Sequence, residues 1–130
     1  MENAKILIID DDIDLTSALQ TVLQSNQYSV SIANTGEEGM EKLKADKPDL
    51  IILDVMMVKQ QDGFEVAREL KKDDEFKHIP ILMLTAVEGK TGIDLKSEAG
   101  DSEWLPVDSF LDKPVEPQVL LDEVKKLLTK

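Results

Sequence analysis

The chain contains no cysteine, which excludes thiol catalysis, cysteine-ligated zinc and a disulfide framework. No apolar run reaches the length of a membrane-spanning helix, and the N-terminus lacks the long apolar region of a secretory signal. A cytoplasmic location without membrane insertion is therefore expected. Positive charge is scarce: 15 Lys and Arg stand against 27 Asp and Glu, for a net charge of −12. Such a surface repels phosphates, so no direct nucleic-acid partner is expected, although a basic partner stays open. Internal repeats, low-complexity segments and interdomain linkers are absent, and no glycine-rich phosphate loop follows the first apolar run. A chain of 130 residues is most simply one domain, and its core is large enough to fold without a covalent or metal staple.

What the sequence has is a set of short apolar runs that end in acid. Leu50-Ile51-Ile52-Leu53 is too short for a stable helix, lies behind Pro48 and is followed by Asp54. It fits a strand buried on both faces of a parallel sheet. Lys5-Ile6-Leu7-Ile8-Ile9 is a second such run, leading into Asp10-Asp11-Asp12. The period then changes: Leu15, Ala18, Leu19, Val22 and Leu23 mark one face of a helix, with Asp12 and Asp14 suited to its N-terminus. Asn26 and Gln27 end that helix. Tyr28 to Ala33 alternates like a strand near a sheet edge, and Thr35-Gly36-Glu37-Glu38 reads as a capping box for a helix with Met40 and Leu43 inward.

Beyond Asp54 a loop runs to Asp62-Gly63. A third helix has Phe64, Ala67 and Leu70 inward and runs out in Lys71-Lys72-Asp73-Asp74. Ile81 to Ala86 is a fourth strand, Val107 to Leu111 a fifth, and a last helix carries Val119, Leu120, Val124, Leu127 and Leu128 on one side. Strands alternating with helices, over connections too long for hairpins, predict an α/β fold with a parallel sheet and helices on both faces. In a doubly wound, flavodoxin-like sheet of five strands in the order 2-1-3-4-5, the first and third strands meet at the topological switch point. Asp10, Asp11 and Asp54 then converge, with Thr85 and Lys113 arriving from the fourth and fifth strands. Three crowded carboxylates call for a counter-charge, and a hard divalent cation such as Mg²⁺ suits oxygen ligands. A lysine and a hydroxyl opposite them suit a phosphoryl group.

Five stretches together carry a family pattern: Ile6 to Asp12, Asp49 to Met57, Asp62-Gly63, Leu84-Thr85-Ala86, and Phe110-Leu111-Asp112-Lys113-Pro114. Over essentially its whole length the chain resembles the receiver domain of bacterial two-component response regulators, the fold of the chemotaxis regulators. The resemblance implies a single receiver domain over 1–130 with no output domain, acting as a phosphorylation-dependent switch rather than as an enzyme. It makes Asp54 the phosphoacceptor, with a sensor histidine kinase or phosphotransfer protein as donor and a downstream protein as target. It places Mg²⁺ on Asp11, Asp54 and the Met56 backbone carbonyl, with Asp10 acting through water. Lys113 would pair with the phosphoryl oxygens and Thr85 would hydrogen-bond one of them. Phe110 would be the aromatic switch that reports on Thr85, and the Lys113-Pro114 bond would be cis.

Some positions depart from the pattern. Val58 stands where the family has proline, the loop before Asp62 carries an extra residue, and the spacing from Thr85 to Lys113 exceeds the usual one. The surplus suggests an enlarged loop around Trp104, which either pins that loop or contacts a partner. Met56 and Val87 lie two positions beyond Asp54 and Thr85, where the resemblance implies that access of hydrolytic water is tuned; both are apolar and cannot orient a water, which predicts slow autodephosphorylation. His78, before a strand, reads as a solvated surface residue. A haloacid dehalogenase-type phosphatase also uses Asp-x-Asp after an apolar strand. Here, however, Asp14 occupies the position of its expected threonine, and no cap domain is evident. A pseudo-receiver that binds without phosphorylation would not need the full acid, threonine and lysine set.

Overall fold

The computed structural model describes residues 4–54, 68–85, 109–112 and 115–129, with the backbone alone described at Thr85, Phe110 and Asp112. Its strands are β1 (Lys5–Ile9), β2 (Ser29–Ala33), β3 (Leu50–Asp54), β4 (Ile81–Thr85) and β5 (Ser109–Asp112). The helices are α1 (Ile13–Ser25), α2 (Gly36–Ala45) and α3 (Pro117–Leu128), and residues 68–72 form a further helical turn. The strands are parallel and lie in the order β2-β1-β3-β4-β5.

The two-residue period of the strands sorts the apolar runs into two cores. Leu7, Ile9, Ile51, Leu53, Ile81 and Met83 point to one face, where they meet Leu43 of α2 and Leu70. Ile6, Ile8, Leu50, Ile52, Leu82 and Leu84 point to the other, against Leu19 and Leu23 of α1 and Leu120, Val124 and Leu127 of α3. All of Leu50 to Leu53 is completely buried. At roughly 1.5–3 kcal/mol for each large aliphatic side chain removed from water, this central strand fixes the sheet's position more firmly than any loop could.

Each helix obeys local signals. Asp12 caps α1, its Oδ1 accepting from the Leu15 backbone N–H at 3.0 Å. The C-terminus closes with Gln27 N–H on Gln24 C=O (3.1 Å) and Tyr28 N–H on Leu23 C=O (3.1 Å), around a left-handed Gln27 with φ 70°. That bond pair is the Schellman closure, which usually employs glycine. Thr35 caps α2 through its Oγ1 to Glu38 N–H at 3.0 Å. Lys42 of α2 donates its ammonium to the Ile32 carbonyl of β2. At the other end of the sheet Lys5 and Asp49 exchange backbone and carboxylate bonds, and Lys5 Nζ meets Asp46 Oδ1 at 2.7 Å.

Two helix faces differ from expectation. Ala18 is exposed and Thr16 is buried in its place. At 100° per residue, Ala18 lies roughly 130° from the centre of the Thr16, Leu19, Leu23 stripe, and the buried Thr16 hydroxyl is satisfied by the Ile13 carbonyl at 3.0 Å. Val119 is 45% exposed, because one residue before Leu120 puts it about 100° off the buried stripe. Burial also extends beyond Lys71–Asp74, since Phe76 and Ile79 both join the first core. His78 between them is exposed, as expected.

Candidate functional site

The parallel register sets Ile9 of β1 beside Leu53 of β3. The next residue on each strand is an aspartate, so Asp10 and Asp54 emerge side by side at the carboxyl edge of the sheet. Asp11 follows Asp10 into the turn toward α1. Oxygens of the three carboxylates all lie within 4.8 Å of one another. Asp10 and Asp54 are buried, at 0% and 1% exposure, and Asp11 is half-buried.

Asp10 is held from several directions. Its backbone N–H donates to the Ala33 carbonyl (3.0 Å), and its own carbonyl accepts from Asn34 Nδ2 (3.0 Å). Its Oδ1 accepts from the Asp12 backbone N–H at 2.9 Å. Asp12 itself turns away to cap α1, the helix-terminal role expected of one acid in the triplet. Asn34 is the residue that sequence reasoning passed over. It stands just ahead of a capping box, where a polar residue looks like ordinary turn chemistry, and only the register of β1 against β2 brings it to Asp10.

Ionised carboxylate oxygens within 4.8 Å of one another repel by about 3 kcal/mol or more at an effective dielectric near 20. Crowding three of them, two without solvent, suits a site made for a cation. Among the described residues the donor set is all carboxylate oxygen, without sulfur or imidazole, which matches a small hard divalent ion such as Mg²⁺ rather than a soft metal.

The remaining expected site residues are placed only in part. Leu84 pairs with Asp54 and Thr85 with Asp112, so the Thr85 backbone reaches the same edge of the sheet one step beyond the acid. The Phe110 backbone pairs with Met83. Met56, Val58, Gly63, Val87, Trp104, Lys113 and Pro114 lie outside the described residues.

An α/β sheet of this order places its ligand crevice at the switch point between β1 and β3, where the acidic cluster lies. Residues 6–125 match the model of the response regulator receiver domain, and the chain belongs to that family. It is 38% identical over 126 residues to PhoP of Bacillus subtilis, the alkaline phosphatase synthesis transcriptional regulatory protein, covering 97% of this chain and 49% of that one. It is 36% identical over 125 residues to the response regulator PleD of Caulobacter vibrioides, covering 96% of this chain and 26% of PleD. The chain thus spans half or less of the length of these relatives. Among solved structures it resembles one from Chloroflexus aurantiacus described as a response regulator, with a TM-score of 0.85, 32% identity and coverage of 99% and 100%. It also resembles the chemotaxis protein CheY4 of Vibrio cholerae, with a TM-score of 0.82, 30% identity and coverage of 95% and 98%. Among the described residues, no helix is long and apolar enough to cross a membrane.

Proposed function

We propose that the protein is a phosphorylation-controlled switch in which Asp54 accepts the phosphoryl group. The observation that carries this reading is the meeting of Asp10, Asp11 and Asp54 within 4.8 Å in a chain of the receiver family. An Asp54 carboxylate oxygen bonds to the phosphorus of a phosphohistidine on a sensor histidine kinase or phosphotransfer protein. The P–N bond breaks, its electron pair leaving with the donor imidazole, and an acyl phosphate results. Placement on a rigid, fully buried strand end keeps the nucleophile oriented. Asp11, Asp54 and the Met56 carbonyl would hold Mg²⁺, with Asp10 acting through water. When bound, the ion supplies the positive charge that offsets the carboxylates and the phosphoryl oxygens.

Lys113 pairs with the phosphoryl oxygens, and the Thr85 hydroxyl donates to one of them, drawing the end of β4 inward. Phe110 on the neighbouring strand follows Thr85 between two rotamers and changes the surface offered to a downstream protein. Support for these three roles is their place in the family pattern and, for Thr85 and Phe110, the backbone register of β4 and β5. Apolar Met56 and Val87 leave hydrolytic water unoriented, so the acyl phosphate decays slowly.

The test is intact mass after incubation with acetyl phosphate, with Mg²⁺ and with chelator, for wild type and Asp54→Asn. A single Mg²⁺-dependent phosphoryl adduct on wild type, absent from the variant, is the expected result. An adduct that persists in Asp54→Asn removes Asp54 from its role. No adduct with any small donor or kinase favours a domain that binds its partner without phosphorylation.

A further inference from the structure

Asn34 lies in no recognised part of the phosphoacceptor machinery, yet it sits between that machinery and α2. The β1–β2 ladder reaches its last rung where Asp10 N–H meets the Ala33 carbonyl at 3.0 Å. One residue further on, Asn34 Nδ2 takes the Asp10 carbonyl at 3.0 Å. Asn34 is itself anchored, because its backbone N–H donates to Glu38 Oε1 at 2.7 Å, a short bond to a charged acceptor. Glu38 is fixed in turn by its N–H on Thr35 Oγ1. A continuous hydrogen-bonded path therefore runs from the first turn of α2, through a half-buried amide, to the main chain that carries Asp10 and Asp11.

We infer that Asn34 is a positioning residue for the cation and phosphoryl site, fixing the Asp10–Asp11 turn from the α2 side. This rests on the reading of Asp10, Asp11 and Asp54 as the Mg²⁺ and phosphoacceptor cluster. Three mutually repelling carboxylates tend to splay when the cation leaves, and Asp11 stands on a turn rather than in the ladder. The Asn34 bond to the Asp10 carbonyl, on the main chain between the two acids, restrains that splay. Only a donor can do this. Aspartate at position 34 has the same shape but no N–H, and would set a fourth negative group against a carbonyl.

That difference gives a test with opposite expectations. Simple electrostatics says that Asn34→Asp, by adding negative charge beside a cation site, tightens Mg²⁺ binding; positioning says that it loosens it. The Mg²⁺ dissociation constant is measured by titration calorimetry for wild type, Asn34→Ala, Asn34→Asp and the control Asn26→Ala. Asn26 makes a comparable amide bond to the Val22 carbonyl at 2.9 Å, remote from the site at the far end of α1. Unfolding midpoints in chelator are recorded alongside.

Losses of about tenfold in Mg²⁺ affinity, at the low end of those seen when a ligand's outer partner is removed, are expected for both Asn34 variants. None is expected for Asn26→Ala. Unchanged or tighter binding by Asn34→Asp overturns the inference, as does an equal loss in Asn26→Ala, which would mark a general effect of stability. Wild type that binds no Mg²⁺ overturns the underlying reading of the site. Wild type that binds and is phosphorylated while both Asn34 variants match it overturns the positioning role alone.

Discussion

Asp10 and Asp54 are carboxylates almost wholly removed from water, an arrangement that costs free energy unless compensated. The residue beneath Asp10 shows how little slack the site has. Ile9 is fully buried, and a Cβ built on Gly39 of α2 would stand 2.5 Å from its Cδ1 and 2.9 Å from its Cγ1. Gly39→Ala should gain about 1 kcal/mol of helix propensity and lose about 1–3 kcal/mol to overpacking. A net loss near 1 kcal/mol is expected in chemical denaturation. Ile9→Val removes the Cδ1 that collides, so Gly39→Ala should be less harmful, or even favourable, in that background. Additive losses in the double variant would show that Ile9 is not the obstacle.

At the scale of the element, α1 is closed at one end by Asp12 and at the other by Gln27. A residue with a Cβ pays about 1–2 kcal/mol for the left-handed conformation, while glycine gives back part of that gain as chain entropy. Gln27→Gly should therefore raise stability by roughly 0.5 kcal/mol, read as a higher denaturation midpoint with unchanged slope; a fall would mean that the Gln27 side chain contributes more than its backbone costs.

These local devices also show what a sequence can convey. Runs such as Leu50–Leu53, the Thr35-to-Glu38 capping box and the acids at strand ends carry their meaning in adjacent residues, and β1, β3 and the cap of α2 fall where those signals put them. Ala18 and Val119 were harder to place, because an apolar residue at the margin of a stripe is sorted only by the width of the sheet it faces. Phe76 and Ile79 lie among charged residues without helical period, and are buried because the turn over 73–79 folds back on the sheet. Asn34 was illegible for another reason: its partner is 24 positions away and is set by strand register alone.

For the whole molecule, a net charge of −12 and a cluster of acids at one edge of the sheet separate two effects of salt. Mg²⁺ at about a hundred times its dissociation constant should add about 2.7 kcal/mol of stability by linkage. NaCl at equal ionic strength should add only the smaller, unspecific gain from screening self-repulsion. Thermal unfolding in the two salts should show the Mg²⁺ excess in wild type and a reduced excess in Asp54→Asn. Equal midpoints in both salts would argue against the acidic pocket as a cation site. Alkaline behaviour has a different source. The hydrogen bond and charge of Asp46, with Asp49 behind it, hold the Lys5 ammonium above its usual value of 10.5. Its contribution is complete below that value and disappears as the pH rises through the higher folded value, leaving the neutral range untouched.

The Lys42 contact with Ile32 has a consequence of another kind. Ser29 N–H bonds Ala4 and Ala33 C=O bonds Asp10, so by the two-residue period the odd positions of β2 face β1 and the even ones, Val30 and Ile32, face outward. Among the described residues β2 ends the sheet, and its outward carbonyls are a template on which a second copy could add a strand. The ammonium of Lys42 already occupies one of them. Strand addition at this edge would have to displace a charge as well as bring together two strongly acidic chains, so the Lys42 contact works against pairing along β2.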